Sequence, residues 1–202
     1  NDSERKDLKE FYHIYPLWGR YPDFLSKKSL VLFEEITKFG NILLEALDTF
    51  SPNEIRKHYS EPLNKMSKSS DQNLMRVIHY PPLRDSDHPD EIRAAAHTDI
   101  NLITLLISGS QPGLQVMDKN KNWVDIKSKK GQIVINTGDM LKECSNGYFP
   151  STVHRVINPE IKKNVSRFSI PLFFHPRGDV VLSKKYTADE YLFKRLKEIG
   201  LK

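Results

Sequence analysis

Between Asn73 and Phe174 the chain breaks into short β-prone runs, each cut off by proline, glycine, asparagine or aspartate, and this punctuation leaves few folds open. Leu74-Met75-Arg76-Val77-Ile78-His79-Tyr80 stops at Pro81-Pro82, which cannot continue a central ladder. Leu102 to Ile107, Leu114 to Met117, Trp123 to Ile126, Ile133 to Asn136, Thr152 to Ile157 and Arg167 to Phe174 follow. Short strands at this spacing close into a sandwich or barrel.

Helical patterns flank this core. Leu30, Phe33, Ile36, Gly40, Leu43, Leu44 and Leu47 recur at three and four, which makes one apolar helix face. Ser51-Pro52-Asn53-Glu54 reads as a second helix start, with Ser capping, Pro in the first turn and Glu returning to the cap. The aromatic, proline-containing stretch from Phe11 to Phe24 reads as a loop. At the far end Thr187 and Glu190 form a capping box, Leu192, Leu196 and Ile199 share a face, and Gly200 closes it. The expectation is one domain over residues 1–202, mostly β with flanking helices: helical 1–70, a β-core over 73–182 and a C-terminal helix over 187–200.

Composition narrows the class. The single cysteine, Cys144, permits no internal disulfide and suits a reducing compartment such as the cytoplasm. No run approaches the apolar length that spans a membrane. The formal charge of +5 comes from scattered lysines, with Lys127, Lys129 and Lys130 the densest group and Lys184-Lys185 another. Aromatics are not interleaved with them, so they read as a solvated face and not as a nucleic-acid groove.

His97-Thr98-Asp99 and the later His154 carry the chemistry. Two imidazoles and one carboxylate are the set that holds non-haem iron(II) with positions left open. On a strand, residues i and i+2 face one side, so His97 and Asp99 can converge while Thr98 points away. A second triplet, His88-Pro89-Asp90, sits in an acidic loop and reads as turn chemistry. His154 lies on the β-branched run Thr152 to Val156. His175 precedes Pro176 and reads as a turn residue, and His13 and His58 fall in the helical part.

Arg167 and Ser169 flank Phe168 on a strand and share a face. The guanidinium is a planar fork for a carboxylate, and the serine adds a hydroxyl donor. A charged guanidinium inside a β-core needs an anionic partner, and a bound dicarboxylate would supply it. Tyr80 could add a third hydrogen bond to the same ligand. Phe173 has the parity of Arg167 and Ser169, so it either faces the cavity and touches substrate or is a plain core aromatic.

Taken in order, Arg76-Val77-Ile78-His79-Tyr80-Pro81-Pro82, His97-Thr98-Asp99, Gly113-Leu114-Gln115-Val116, Asn136-Thr137-Gly138-Asp139, Ser145-Asn146-Gly147, Ser151-Thr152-Val153-His154-Arg155-Val156 and Arg167-Phe168-Ser169 resemble the isopenicillin N synthase-like branch of the iron(II)/2-oxoglutarate-dependent dioxygenases. The resemblance runs from about Phe11 onward. It implies a distorted double-stranded β-helix, a cupin-like jelly roll, wrapped in helices. It implies Fe(2+) on His97, Asp99 and His154, and 2-oxoglutarate held by Arg167, Ser169 and Tyr80 through the carboxylate remote from the metal. It also implies an enzyme that uses O2 to hydroxylate, desaturate or cyclise a small organic substrate, forming succinate and CO2. Gly138-Asp139 and Asn146-Gly147 are structural turns in this family.

Two positions depart from it. Residue 79 is His where many relatives have Tyr, and residue 78 is Ile where many have Asn, which removes a polar contact near the co-substrate. Relatives carry further residues ahead of the region like Phe11, so the N-terminal part of the family fold is expected to lie outside this chain. Two rival readings are a same-fold oxidase that uses O2 without 2-oxoglutarate and a non-catalytic small-molecule-binding relative. A third, demethylation of nucleic acid or protein, fits the motifs less well than a small-molecule substrate. The oligomeric state is not legible.

Overall fold

Two antiparallel sheets organise the chain in the computed structural model, which describes residues 7–88, 90–107, 109–127 and 129–201. The elements run β1 (Glu10–Ile14), α1 (Lys28–Phe50), α2 (Asn53–Arg56), α3 (Leu63–Ser67), β2 (Leu74–Tyr80), β3 (Ala94–His97), β4 (Ile103–Ile107), β5 (Leu114–Met117), β6 (Trp123–Asp125), β7 (Ile133–Thr137), α4 (Asp139–Cys144), β8 (His154–Val156), β9 (Arg167–Phe174) and α5 (Ala188–Glu198). The larger sheet has the order β1-β2-β9-β4-β7 and the smaller one β3-β8-β5-β6. Ile78 and Tyr80 of the first cluster with Ala94 and Val156 of the second, which closes the sheets over a shared interior. This is the double-stranded β-helix with flanking helices.

The larger sheet has two unlike faces because side chains alternate along every strand. One face carries Met75, Ile103, Leu105, Leu172 and Phe174 and packs with Phe33, Ile36 and Leu44 of α1 in a single apolar cluster. Burying each of these side chains contributes about 1.5–3 kcal/mol. The contact is close. A Cβ on Gly40 would stand 2.0 Å from the Phe174 ring, so only glycine lets α1 lie on that aromatic. The opposite face, toward the smaller sheet, carries Arg76, Ile78, Tyr80, Thr104, Asn136, Arg167, Ser169 and Phe173, placed together by the register of β2, β9, β4 and β7.

The structure corrects several expectations. Residues 1–70 are not helical throughout: Glu10–Ile14, expected in a loop, is an edge strand with His13 opposite Arg76 and Ile14 opposite Met75. Its pairing is with a partner more than sixty residues away, so no local pattern announces it. Ser51 does not cap α2. Its hydroxyl donates to the Leu47 carbonyl and closes α1 instead, and Pro52 sits at the α2 N-cap without a side-chain bond. His175 directly follows the end of β9, as its place before Pro176 suggested, and its side chain is buried. Of the His88-Pro89-Asp90 triplet, Pro89 lies outside the described residues. Thr187 and Glu190 do form the reciprocal capping box at the start of α5, and Asn146 and Gly147 both adopt positive φ at their turn.

Candidate active site

His97 ends β3 and His154 begins β8, and the two are register partners across the smaller sheet. Their rings lie 4.3 Å apart. Each is pinned through Nδ1 to the carbonyl two residues upstream: His97 donates to Ala95 O (2.7 Å) and His154 to Thr152 O (3.1 Å). A proton on Nδ1 leaves the Nε2 lone pair of both rings free to bind a cation.

Asp99 reaches the site by a route other than the strand pleat expected from its spacing to His97. β3 stops at His97, so the pleat does not bring residues 97 and 99 together. Asp99 lies in the turn that follows, where its carbonyl accepts the Asp139 N–H (2.8 Å). Its side chain reaches the larger sheet: Oδ2 accepts from Thr104 Oγ1 (2.7 Å) and Asn136 Nδ2 (2.9 Å). Oδ1 is left beside His154 Nε2 at 3.7 Å. One ligand atom from each of His97, Asp99 and His154 lies within 4.8 Å of the others.

The electrostatics suit a divalent cation. Desolvation of the His97 ring, with His154 beside it, pushes its pKa below the usual value, although the residue as a whole is exposed. Burial pushes the Asp99 carboxyl up, but His154, Thr104, His97 and Asn136 outweigh it and hold the carboxyl below its ordinary range. The neutral imidazole and ionised carboxylate are the forms a metal requires. Two imidazole nitrogens and one carboxylate oxygen are the facial donor set for iron(II), so these residues fit that ion.

The second part of the site is built on β2 and β9. Tyr80 stands opposite Arg167, and Ile78 opposite Ser169. Arg167 is 2% exposed, yet no carboxylate pairs with it among the described residues. Its Nε donates to Gln111 O (3.1 Å) and its Nη1 has no hydrogen-bond partner among the described residues. A Cβ on Gly109 would stand 2.7 Å from Nη2, so glycine there leaves the fork its room. An unmatched buried guanidinium costs several kcal/mol (order of magnitude) unless an anion meets it. The Arg167 carbon Cζ sits 5.0 Å from the Tyr80 ring centroid. Burial raises the Tyr80 pKa against the pull of Arg167, which keeps the phenol a donor. Ser169, 4% exposed, shares the face. This combination fits the far carboxylate of an oxo diacid. Ile78 packs between the sheets as an apolar group, and His79 lies on the other face, stacked on Phe168.

Phe173 is on the same face as Arg167 and Ser169 and opposite Thr104. That register places it beside the residue that holds Asp99. Thr104, Asn136 and Asn101 join the site only in the structure. Asn101 is fully buried and donates to Thr104 Oγ1 (2.8 Å), orienting that hydroxyl toward Asp99. A signal for this is present in the sequence: Thr104 interrupts the apolar run Leu102 to Ile107, and a buried polar side chain in such a run needs a partner. Gly138 completes the packing, since a Cβ there would stand 2.2 Å from the Asn101 carbonyl.

The family model described as 2OG-Fe(II) oxygenase superfamily matches residues 72–176. A "2-oxoglutarate-Fe(II) type oxidoreductase" of Aspergillus fumigatus is 36% identical over 108 residues, 53% of this chain and 31% of that protein. The crystal structure of a candidate oxygenase from Shewanella oneidensis superposes with a TM-score of 0.88 at 52% identity, covering 98% of this chain and 73% of that one. A full-length Neurospora crassa protein solved in complex with alpha-KG superposes with a TM-score of 0.72 at 25% identity, covering 98% of this chain and 68% of that one, and the same protein has also been solved with thymine. The chain spans about a third of the length of the curated relatives it matches.

Proposed function

The chain belongs to the 2OG-Fe(II) oxygenase superfamily, and from that premise we propose that it is a non-haem iron(II)/2-oxoglutarate-dependent dioxygenase that oxidises a small organic molecule, by hydroxylation, desaturation or ring closure, with formation of succinate and CO2. The observation that carries this reading is the pairing of two features across one interior. Three ligand atoms converge within 4.8 Å on one wall, and a buried guanidinium has an unpartnered Nη1 on the other.

His97, Asp99 and His154 would hold the iron, which when bound activates O2 for oxidation of the substrate. Ala95 and Thr152 fix the two imidazoles in the tautomer that ligates. Thr104 and Asn136 hold the Asp99 Oδ2, which orients Oδ1 toward the metal position. Arg167, with Ser169 and Tyr80, would bind and orient the 2-oxoglutarate carboxylate remote from the metal. Ile78, Ala94 and Val156 line the interior between the sheets and exclude water from it. Phe173 would touch the substrate. Among the described residues no helix is long and apolar enough to cross a membrane. Cys144, the single cysteine, is free and buried, which suits a reducing cytoplasm.

The test is release of succinate from 2-oxoglutarate with iron(II) and O2, screened across candidate small molecules. Arg167→Lys replaces the fork with a point charge and should weaken co-substrate binding by about ten- to a hundredfold. Substrate oxidation without succinate would favour an oxidase, and an unchanged co-substrate dependence in the lysine variant would reject the clamp.

A further inference from the structure

Arg76 is a second cation on the cavity face, and neither the metal triad nor the co-substrate clamp uses it. On β2 it lies four residues before Tyr80 and opposite Pro171 of β9, so it stands along the sheet from Arg167, toward Phe173 and Thr104. Its Cζ is 4.6 Å from the Phe11 ring centroid and 5.2 Å from that of Phe173. Its Nε donates to His13 Nε2 (2.7 Å), the only hydrogen bond the guanidinium makes to the described residues. The side chain is half-buried, and neither Nη group bonds to a described residue.

Among the described residues no carboxylate forms an ion pair with this charge. Burial, with Arg76 adjacent, pulls the His13 pKa down to about 4, so the imidazole is a neutral acceptor. Asp99 lies near enough to be felt by Arg76, but its oxygens are committed to Thr104, Asn136 and the metal position. Desolvation disfavours the charged guanidinium, yet arginine does not lose its proton in a protein. Two aromatic faces stabilise a cation only in part. What is missing is an oxyanion.

Resting on the dioxygenase reading, we propose that the primary substrate carries a carboxylate and that Arg76 binds it through its free Nη edge, with Phe11 and Phe173 packing against the adjoining carbon skeleton. Arg167 holds the co-substrate at one end of the cavity face, and Arg76 draws the second anion to the end where Phe173 adjoins Thr104 and Asp99. A neutral analogue at the same place would bury the guanidinium without relieving it, which is the stronger form of discrimination.

The experiment measures binding without turnover. Protein saturated with Mn(II) and 2-oxoglutarate is titrated with benzoate against benzamide and with hexanoate against hexanamide. The expected result is that at least one carboxylate binds about ten- to a hundredfold more tightly than its amide. In Arg76→Gln that preference should vanish while 2-oxoglutarate affinity is unchanged, and Arg76→Lys should keep part of it. A wild-type preference near one, a preference that survives Arg76→Gln, or no binding by any pair overturns the proposal. A protein that binds neither Mn(II) nor 2-oxoglutarate instead overturns the underlying reading.

Discussion

On the side of the larger sheet covered by α1, Met75, Leu105, Leu172 and Phe174 are each at most 1% exposed and touch other apolar groups. On the side facing the smaller sheet, the adjacent residues in the chain are Arg76, Thr104 and Phe173, with Ser169 and Arg167 earlier on β9. The same strands therefore serve two purposes. The first side is completed by packing within the chain. The second holds polar groups that the described residues leave with spare capacity: the buried Arg167 Nη1, the half-buried Arg76 guanidinium beyond its Nε, and the Asp99 Oδ1. Groups like these are tolerated in an interior where a ligand completes them. The lesson is that alternation, usually read as inside against outside, here separates a stabilising interior from a binding one.

Substitutions on the two sides should fail in different ways. Phe174→Ala opens a cavity against Gly40 and α1 and should cost about 3–5 kcal/mol of stability, measured by urea unfolding. It should leave metal affinity in the folded protein near that of the parent. If Phe174→Ala and a cavity-side change lost stability equally, the contrast between the faces would be false.

Acid should act through two histidines, one buried and one half-buried. His175 follows Phe174, is buried, and has its pKa pulled down to about 4 by burial, against the pull of Asp99. His13, beside Arg76, is lowered to about 4 by burial and by that guanidinium. A histidine whose folded pKa is depressed adds stability that is full above the unfolded value of about 6.5 and is lost as pH falls toward 4. Metal-free protein should therefore lose stability progressively over that window, by about 3 kcal/mol at most for His175. His175→Gln should remove its share of the fall and leave that of His13. A parent profile already flat between pH 6.5 and 4 would contradict the assignment.

Thr104→Val gives the smallest effect. It keeps the shape but removes the hydroxyl that holds Asp99 Oδ2. Metal affinity should fall by about ten- to a hundredfold. Isothermal titration checks this, and an unaltered affinity would mean that Asn136 alone positions the carboxylate.

Much of the fold and site is legible in the sequence because the signals are local. The period of α1, the prolines after Tyr80, the capping box of α5 and the alternation of Arg167, Phe168 and Ser169 each need only a few neighbouring residues. What escapes a reading of the sequence depends on pairing across the fold. Glu10–Ile14 becomes a strand because the β2 edge accepts it. His97 meets His154 through register between β3 and β8, and Asp99 is aimed by residues of the other sheet. Arg76 illustrates the limit well: its place in a motif is plain from the sequence, but only the structure shows that no carboxylate of the described chain pairs with it.

The most direct measurement is anaerobic titration of iron(II) into the parent protein and into His97→Ala, Asp99→Ala and His154→Ala. The parent should bind one ion per chain, and each variant should lose that binding while its unfolding transition stays cooperative. A parent that binds no iron(II), or folded variants that bind it as the parent does, would contradict the account.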